Sequence, residues 1–196
     1  MTKINSKQCT KCEETKPLTD FHKAAANKDG LQYRCKECQI TAINEHAAKN
    51  RDTFEFKTSV VSRQARYQAK KYGVENTLTL AETRAILSCE RCAYCGEHTP
   101  ENKRTQDHVI PMKEGGGNTF ENVVMACATC NSAKHDKPVY DFIMKKAHKD
   151  ATRLLLGTLA ERMDVAPIQV LRRLERQQTA YSRKQFYAKH YGESAQ

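Results

Sequence analysis

Between Gln39 and about Tyr72 the chain holds neither glycine nor proline and mixes alanine with long charged side chains. That pattern predicts helix, interrupted near Asn50-Arg51-Asp52 and closed by Gly73. Thr79-Leu80-Ala81-Glu82 fits a capping box, with a short helix running on to about Ser88. Thr105 to Ile110 and Asn122 to Ala126 read as two short strands, and Gly115-Gly116-Gly117-Asn118 marks a flexible hairpin loop between them. From Cys130 onward the strand pattern is lost and a helix should open. Asp136 to Lys149 continues as helix with Val139, Phe142 and Ile143 apolar, and Leu159 to Leu174 reads as helix, short turn and helix. Residues 5–40 form instead a small knot with Pro17, Asp20, Asn27, Asp29 and Gly30 in its loop, and with Phe21 and Tyr33 as its apolar packing. The class is α+β.

Composition explains why such short elements need help. Of 196 residues, 39% are hydrophobic and 7% aromatic, with no Trp, which is lean material for one large core and predicts one or two small domains. Nine cysteines could supply the missing stability. No run approaches the roughly 18 to 20 apolar residues of a membrane span, and Met1-Thr2-Lys3-Ile4-Asn5 lacks the apolar region of a signal peptide. The expectation is an intracellular protein with reduced thiols, in which close cysteine pairs are metal ligands. Net charge is +10, with an excess of +6 in residues 1–75, none in 76–150 and +4 in 151–196. Basic flanks around a neutral middle favour a polyanion, and nucleic acid over a membrane surface.

Cysteine spacing sharpens the metal reading. Cys9-Thr10-Lys11-Cys12 and Cys35-Lys36-Glu37-Cys38 form two C-x2-C pairs, suited to a structural zinc ion held by four thiolates. A second cluster, Cys89-Glu90-Arg91-Cys92-Ala93-Tyr94-Cys95-Gly96, is answered by Cys127-Ala128-Thr129-Cys130. Gly96 suits the tight knuckle turn, so Cys92, Cys95, Cys127 and Cys130 are the expected second zinc ligands and Cys89 is left as a small buried or free thiol.

The second site encloses a strand, a loop, a strand and a helix carrying Asp107, His108, Asn122, Asn131, Lys134 and His135. Adjacent strand residues point to opposite faces, so a local twist or loop is needed for Asp107 and His108 to approach one phosphate. Given that approach, Asp107 and the side-chain oxygen of Asn131 could hold Mg²⁺ sparsely, and His108 could take a proton from an attacking water. His135, four residues after Asn131 and so on the same helix face, is read as a surface histidine.

These residues resemble the His-Asn-His (HNH) nuclease family, in its version with a four-cysteine zinc site. The run from Cys92 to about Lys137 has the paired cysteines, Asp-His, a proline, a Gly-rich loop, an asparagine before an apolar strand and Cys-x2-Cys-Asn-x2-Lys. The resemblance implies a ββα-metal fold and hydrolysis of DNA phosphodiesters with one catalytic divalent ion, Mg²⁺ or another, leaving a 5′-phosphate and a 3′-hydroxyl. It makes Asp107 a metal ligand, His108 the general base, Asn122 the asparagine fixing the loop that holds His108, Asn131 the second ligand and Lys134 the helix lysine facing a phosphate. The amino-terminal knot and helical linker also resemble, more loosely, phage enzymes similar to recombination endonuclease VII, HNH homing enzymes and two-zinc HNH restriction enzymes.

The expected domains are an amino-terminal four-cysteine zinc module (1–40), a basic helical linker (41–76), the nuclease module with the second zinc site (77–150) and a helical region (151–196). Double-stranded DNA is the expected partner, gripped by Arg63, Arg66, Lys70, Lys71 and Arg104, and by Arg172 and Arg173 in a segment that reads equally as helix-turn-helix or as plain helical hairpin. The expected protein is a phage or mobile-element homing or nicking enzyme of the bacterial cytoplasm. A homodimeric restriction or junction-resolving enzyme, and a noncatalytic zinc-dependent DNA-binding regulator, are the alternatives; the chain is expected to be monomer or homodimer.

Overall fold

A computed structural model describes residues 5–145 and 149–191 and divides the chain into two compact units, 1–56 and 57–196. Met1 to Ile4, part of the segment tested for a signal peptide, lie outside the described residues.

In the first unit, β1 (Ser6–Gln8) pairs antiparallel with β2 (Thr15–Pro17), and β3 (Phe21–Lys23) with β4 (Leu31–Cys35). The helix α1 (Lys36–Asn50) follows directly. Its core is three buried side chains, Cys9, Phe21 and Cys35, with Leu31 and Cys38 packed on them. So small a core cannot offset the entropy of ordering this segment by apolar burial alone. Tyr33, expected inside, is 57% exposed; its ring lies under the Lys7 ammonium, 5.6 Å from the centroid.

The second unit starts within α2 (Phe54–Tyr72), separated from α1 by the turn expected at residues 50–52. Thr58, Ser62, Ala65 and Ala69 fall on one face at helical spacing and are buried, their small side chains permitting close packing. Gly73 ends the helix at φ +65°. Thr79 caps α3 (Leu80–Ser88): its hydroxyl accepts from Glu82 N at 3.2 Å and Glu82 Oε2 accepts from Thr79 N at 2.8 Å.

The strands β5 (Arg104–His108) and β6 (Val123–Cys127) pair antiparallel, Asp107 opposite Val124 and His108 opposite Val123. The helix α4 (Ala128–Lys134) begins two residues before Cys130 because the Cys127 thiolate position caps it, accepting from Cys130 N at 3.4 Å. His135, at φ +55°, ends it. Helix was expected from Asp136, but α5 spans Val139–Lys145, since Pro138 disfavours helical backbone at the residue before it. Residues 146–148 of the expected helix lie outside the described residues.

The last two helices are α6 (Lys149–Met163) and α7 (Pro167–Tyr191), joined through Asp164 at φ +51°. Leu155, Leu159, Ala160, Val170 and Leu174 share one core with Cys92, Tyr94, Val109, Val124, Ala126, Val139 and Ile143. The boundary expected at residue 150 therefore does not separate two cores. Arg162 of α6 strengthens the join, donating to Phe120 O at 2.8 Å and Val123 O at 2.7 Å. Among the described residues no helix is long and apolar enough to cross a membrane.

Candidate active site and metal-binding groups

The sulfurs of Cys9, Cys12, Cys35 and Cys38 lie within 4.8 Å of one another, and so do those of Cys92, Cys95, Cys127 and Cys130. Four thiols this close resist ionising together: Cys38 is pushed up to about 12, chiefly by the neighbouring Cys35 sulfur and then by desolvation. Cys130 is raised by burial and by the Cys127 sulfur. A bound cation relieves that cost, so each group could hold a metal ion. Cys89 stands outside the second group, exposed at the end of α3, its thiol 3.7 Å from Ala85 O.

Between the cysteine pairs of the second group, β5 presents its two faces to different partners. Thr105 and Asp107 look toward α4. The Thr105 hydroxyl donates to Ala126 O at 2.8 Å and accepts from Asn131 Nδ2 at 3.1 Å. The Asp107 carboxylate, 6% exposed, receives Lys134 Nζ at 3.1 Å on Oδ1 and 3.0 Å on Oδ2, and the Tyr94 hydroxyl on Oδ2. Lys134 also donates to His108 O at 2.8 Å. Lys134, expected to face a phosphate, is thus 2% exposed and neutralises the carboxylate.

Gln106 and His108 take the other face and meet at Asn118. His108 Nε2 lies 3.0 Å from Asn118 Oδ1, which also accepts from Gln106 Nε2 at 3.3 Å. Asn118 Nδ2 donates to Asn76 Oδ1 at 2.7 Å, fixing which end of the amide faces the imidazole. The network therefore places the ring proton on Nε2 and leaves Nδ1 to accept another. Burial, opposed by the Asn118 contact and the Asp107 charge, holds His108 below its ordinary 6.5, which favours the neutral ring.

No bulge brings the two side chains together; they diverge as strand alternation demands. Both nevertheless border one cleft of about 790 Å³, with Asn131 and Lys134 from α4 on its wall. Val61, Ala65, Gln68 and Tyr72 of α2 line another side.

Asn122 stands just before β6, not in it. Its Oδ1 accepts from Ile110 N at 2.9 Å, and its Nδ2 donates to Ile110 O at 2.9 Å and Gly117 O at 2.8 Å. Three bonds from one amide close the loop after His108. The loop is also tighter than the flexible hairpin its glycines suggested: a Cβ on Gly116 would sit 1.9 Å from Ile110 O.

The expected DNA contacts are dispersed. Arg63, Arg66 and Lys70 are exposed, but helical geometry sets them on the flank of α2 opposite Gln64 and Gln68, which line the cleft. Lys71, also exposed, turns nearer the cleft side. Arg172 and Arg173 are exposed on α7. Arg104 is not a free cation: Nε donates to Thr99 O at 3.0 Å and Nη1 to Leu87 O at 3.3 Å and Ser88 O at 3.4 Å, tying down the end of α3. His135 lies beyond α4, so it does not share a helix face with Asn131; it is exposed and bonded to Asp136. Tyr94 and Asn118 had no assigned role in the sequence reading. A tyrosine between two knuckle cysteines and an asparagine closing a glycine run were the available signals.

Residues 92–147 match the family model described as HNH endonuclease. The prophage protein YoqL of Bacillus subtilis strain 168, SPbeta prophage-derived and named as an HNH endonuclease, is 25% identical over 174 residues, covering 66% of this chain and 76% of YoqL. The CRISPR-associated endonuclease Cas9 of Corynebacterium diphtheriae is 39% identical over 49 residues, 24% of this chain and 4% of that protein. Among solved structures, the crystal structure of the Type II-C Cas9 enzyme from Actinomyces naeslundii matches at TM-score 0.33 and 21% identity, over 68% of this chain and 16% of that one.

Proposed function

We propose that this chain, whose residues 92–147 match the HNH endonuclease family model, hydrolyses phosphodiester bonds of double-stranded DNA with one catalytic divalent ion. The observation that carries this reading is that Asp107, His108 and Asn131 all border one cleft, although the first two leave their strand on opposite faces.

The donor set fits a hard cation. Asp107 brings a carboxylate that an ion would share with the Lys134 ammonium, and the amide nitrogen of Asn131 is committed to Thr105, so its oxygen is the end available to an ion. A divalent ion bound by Asp107 and Asn131 supplies positive charge that stabilises the leaving oxygen. His108 Nδ1 takes the proton of the attacking water, while Asn118 on Nε2 keeps the ring in the required tautomer and orientation. Asn122 holds the backbone that follows His108, which keeps the imidazole from drifting. Each four-cysteine group takes a structural Zn²⁺, the ion suited to four thiolates.

One such constellation cuts one strand, so a monomer nicks, and a double-strand break takes two copies or two visits. YoqL's prophage origin supports a phage or mobile-element setting. The test is supercoiled plasmid with Mg²⁺. Wild type is expected to yield nicked circles that EDTA prevents, while Asp107→Ala loses cleavage at unchanged DNA binding. Cleavage that survives either EDTA or Asp107→Ala overturns the metal reading.

A further inference from the structure

Tyr94 is the largest fully buried side chain among the described residues. It sits between Cys92 and Cys95, and its ring meets the Phe142 ring edge-on, centroids 5.4 Å apart at 75°. Ala93 N donates to Met125 O at 3.0 Å, fastening this knuckle to β6. The hydroxyl donates to Asp107 Oδ2. Packing does not require that oxygen, since a phenylalanine would fill the same space without a buried hydroxyl to satisfy.

The second group on the carboxylate, Lys134, comes from α4, which Cys127 caps and which contains Cys130. Both grips on Asp107 therefore stand on the two cysteine pairs of one metal-binding group. Lys134 reaches both carboxylate oxygens and Tyr94 adds a bond to Oδ2 alone, so Oδ1 keeps the greater spare acceptor capacity.

We infer that Tyr94 is a positioning residue: its hydroxyl orients the Asp107 carboxylate for the catalytic divalent ion, and so links that ion's affinity to the four-cysteine group that carries the tyrosine. The inference rests on the nuclease reading, which gives the ion to Asp107. Partners that orient a ligating carboxylate typically change metal affinity by about 10- to 100-fold when removed.

The test titrates the full zinc-loaded chain with Mn²⁺, following free ion by electron paramagnetic resonance, with zinc content and melting temperature measured on the same samples. Tyr94→Phe is expected to raise the half-saturating Mn²⁺ concentration about tenfold while keeping its zinc and a cooperative melting transition. Its plasmid cleavage should fall at limiting Mg²⁺ and recover at high Mg²⁺. Phe142→Leu, which disturbs the ring but not the hydroxyl, should titrate like wild type. An unshifted Mn²⁺ titration of Tyr94→Phe overturns the inference. So does loss of its zinc or its melting transition, because the hydroxyl would then serve the fold. Asp107→Ala separates the two levels. If it binds Mn²⁺ as wild type does, the ion was wrongly given to Asp107; if it loses the ion while Tyr94→Phe keeps it, only the role of Tyr94 is wrong.

Discussion

At Asp107 a buried carboxylate, a buried ammonium and a phenol hydroxyl meet in a space nearly closed to water. Breaking such a pair costs more than the pair itself contributes, because the remaining charge has no solvent. Lys134→Met should therefore destabilise the second unit by about 3 to 5 kcal/mol, read as a lower urea midpoint at unchanged slope. A midpoint like wild type would mean the ammonium is solvated and its pairing with Asp107 unimportant. Little of this was legible in the sequence. Asp107 and His108 announce themselves as adjacent polar residues before a proline, but the partners that decide their state, Tyr94 and Asn118, lie 13 and 10 residues away, and one strand sends its two faces to both. Arg104 lines the cleft as well, while the Thr99 carbonyl and the Leu87 carbonyl at the end of α3 hold its guanidinium.

Elements were read most reliably where a local signal sets them. The Thr79 cap, the break at residues 50–52 and the close at Gly73 are each fixed by a few neighbouring residues. In the loop between the strands, glycine signals either freedom or close approach, and only the neighbour tells which. Here the neighbour is the Ile110 carbonyl. Gly116→Ala should cost about 3 kcal/mol by thermal melt and loosen the backbone after His108, lowering cleavage more than DNA binding. Equal melting temperatures for the two proteins would show that the loop yields freely. The strand and helix starts slipped by one or two residues, since Asn122 turns out of β6 to clasp this loop and Cys127 caps α4 early.

For the whole molecule, the cysteine pairs were the clearest guide, because ligand spacing is local even when the ligands are far apart in sequence. What spacing could not show is that α6 and α7 complete the core that carries β5 and β6, a property of apolar residues contributed by several elements at once. If the second four-cysteine group holds zinc as proposed, Cys92→Ala should strongly destabilise the second unit, since structural zinc in small modules is worth roughly 10 to 16 kcal/mol. Cys89→Ser should melt close to wild type, because that thiol is exposed and outside the group. A reversed order would reassign the ligands. All of this positions one imidazole, so single-turnover cleavage of supercoiled plasmid by wild type and His108→Ala, at saturating Mg²⁺ and matched DNA occupancy, bears on the central claim most directly. The variant should bind DNA as wild type does and cleave at least about 100-fold more slowly; equal cleavage rates would contradict the assignment of His108 as the base.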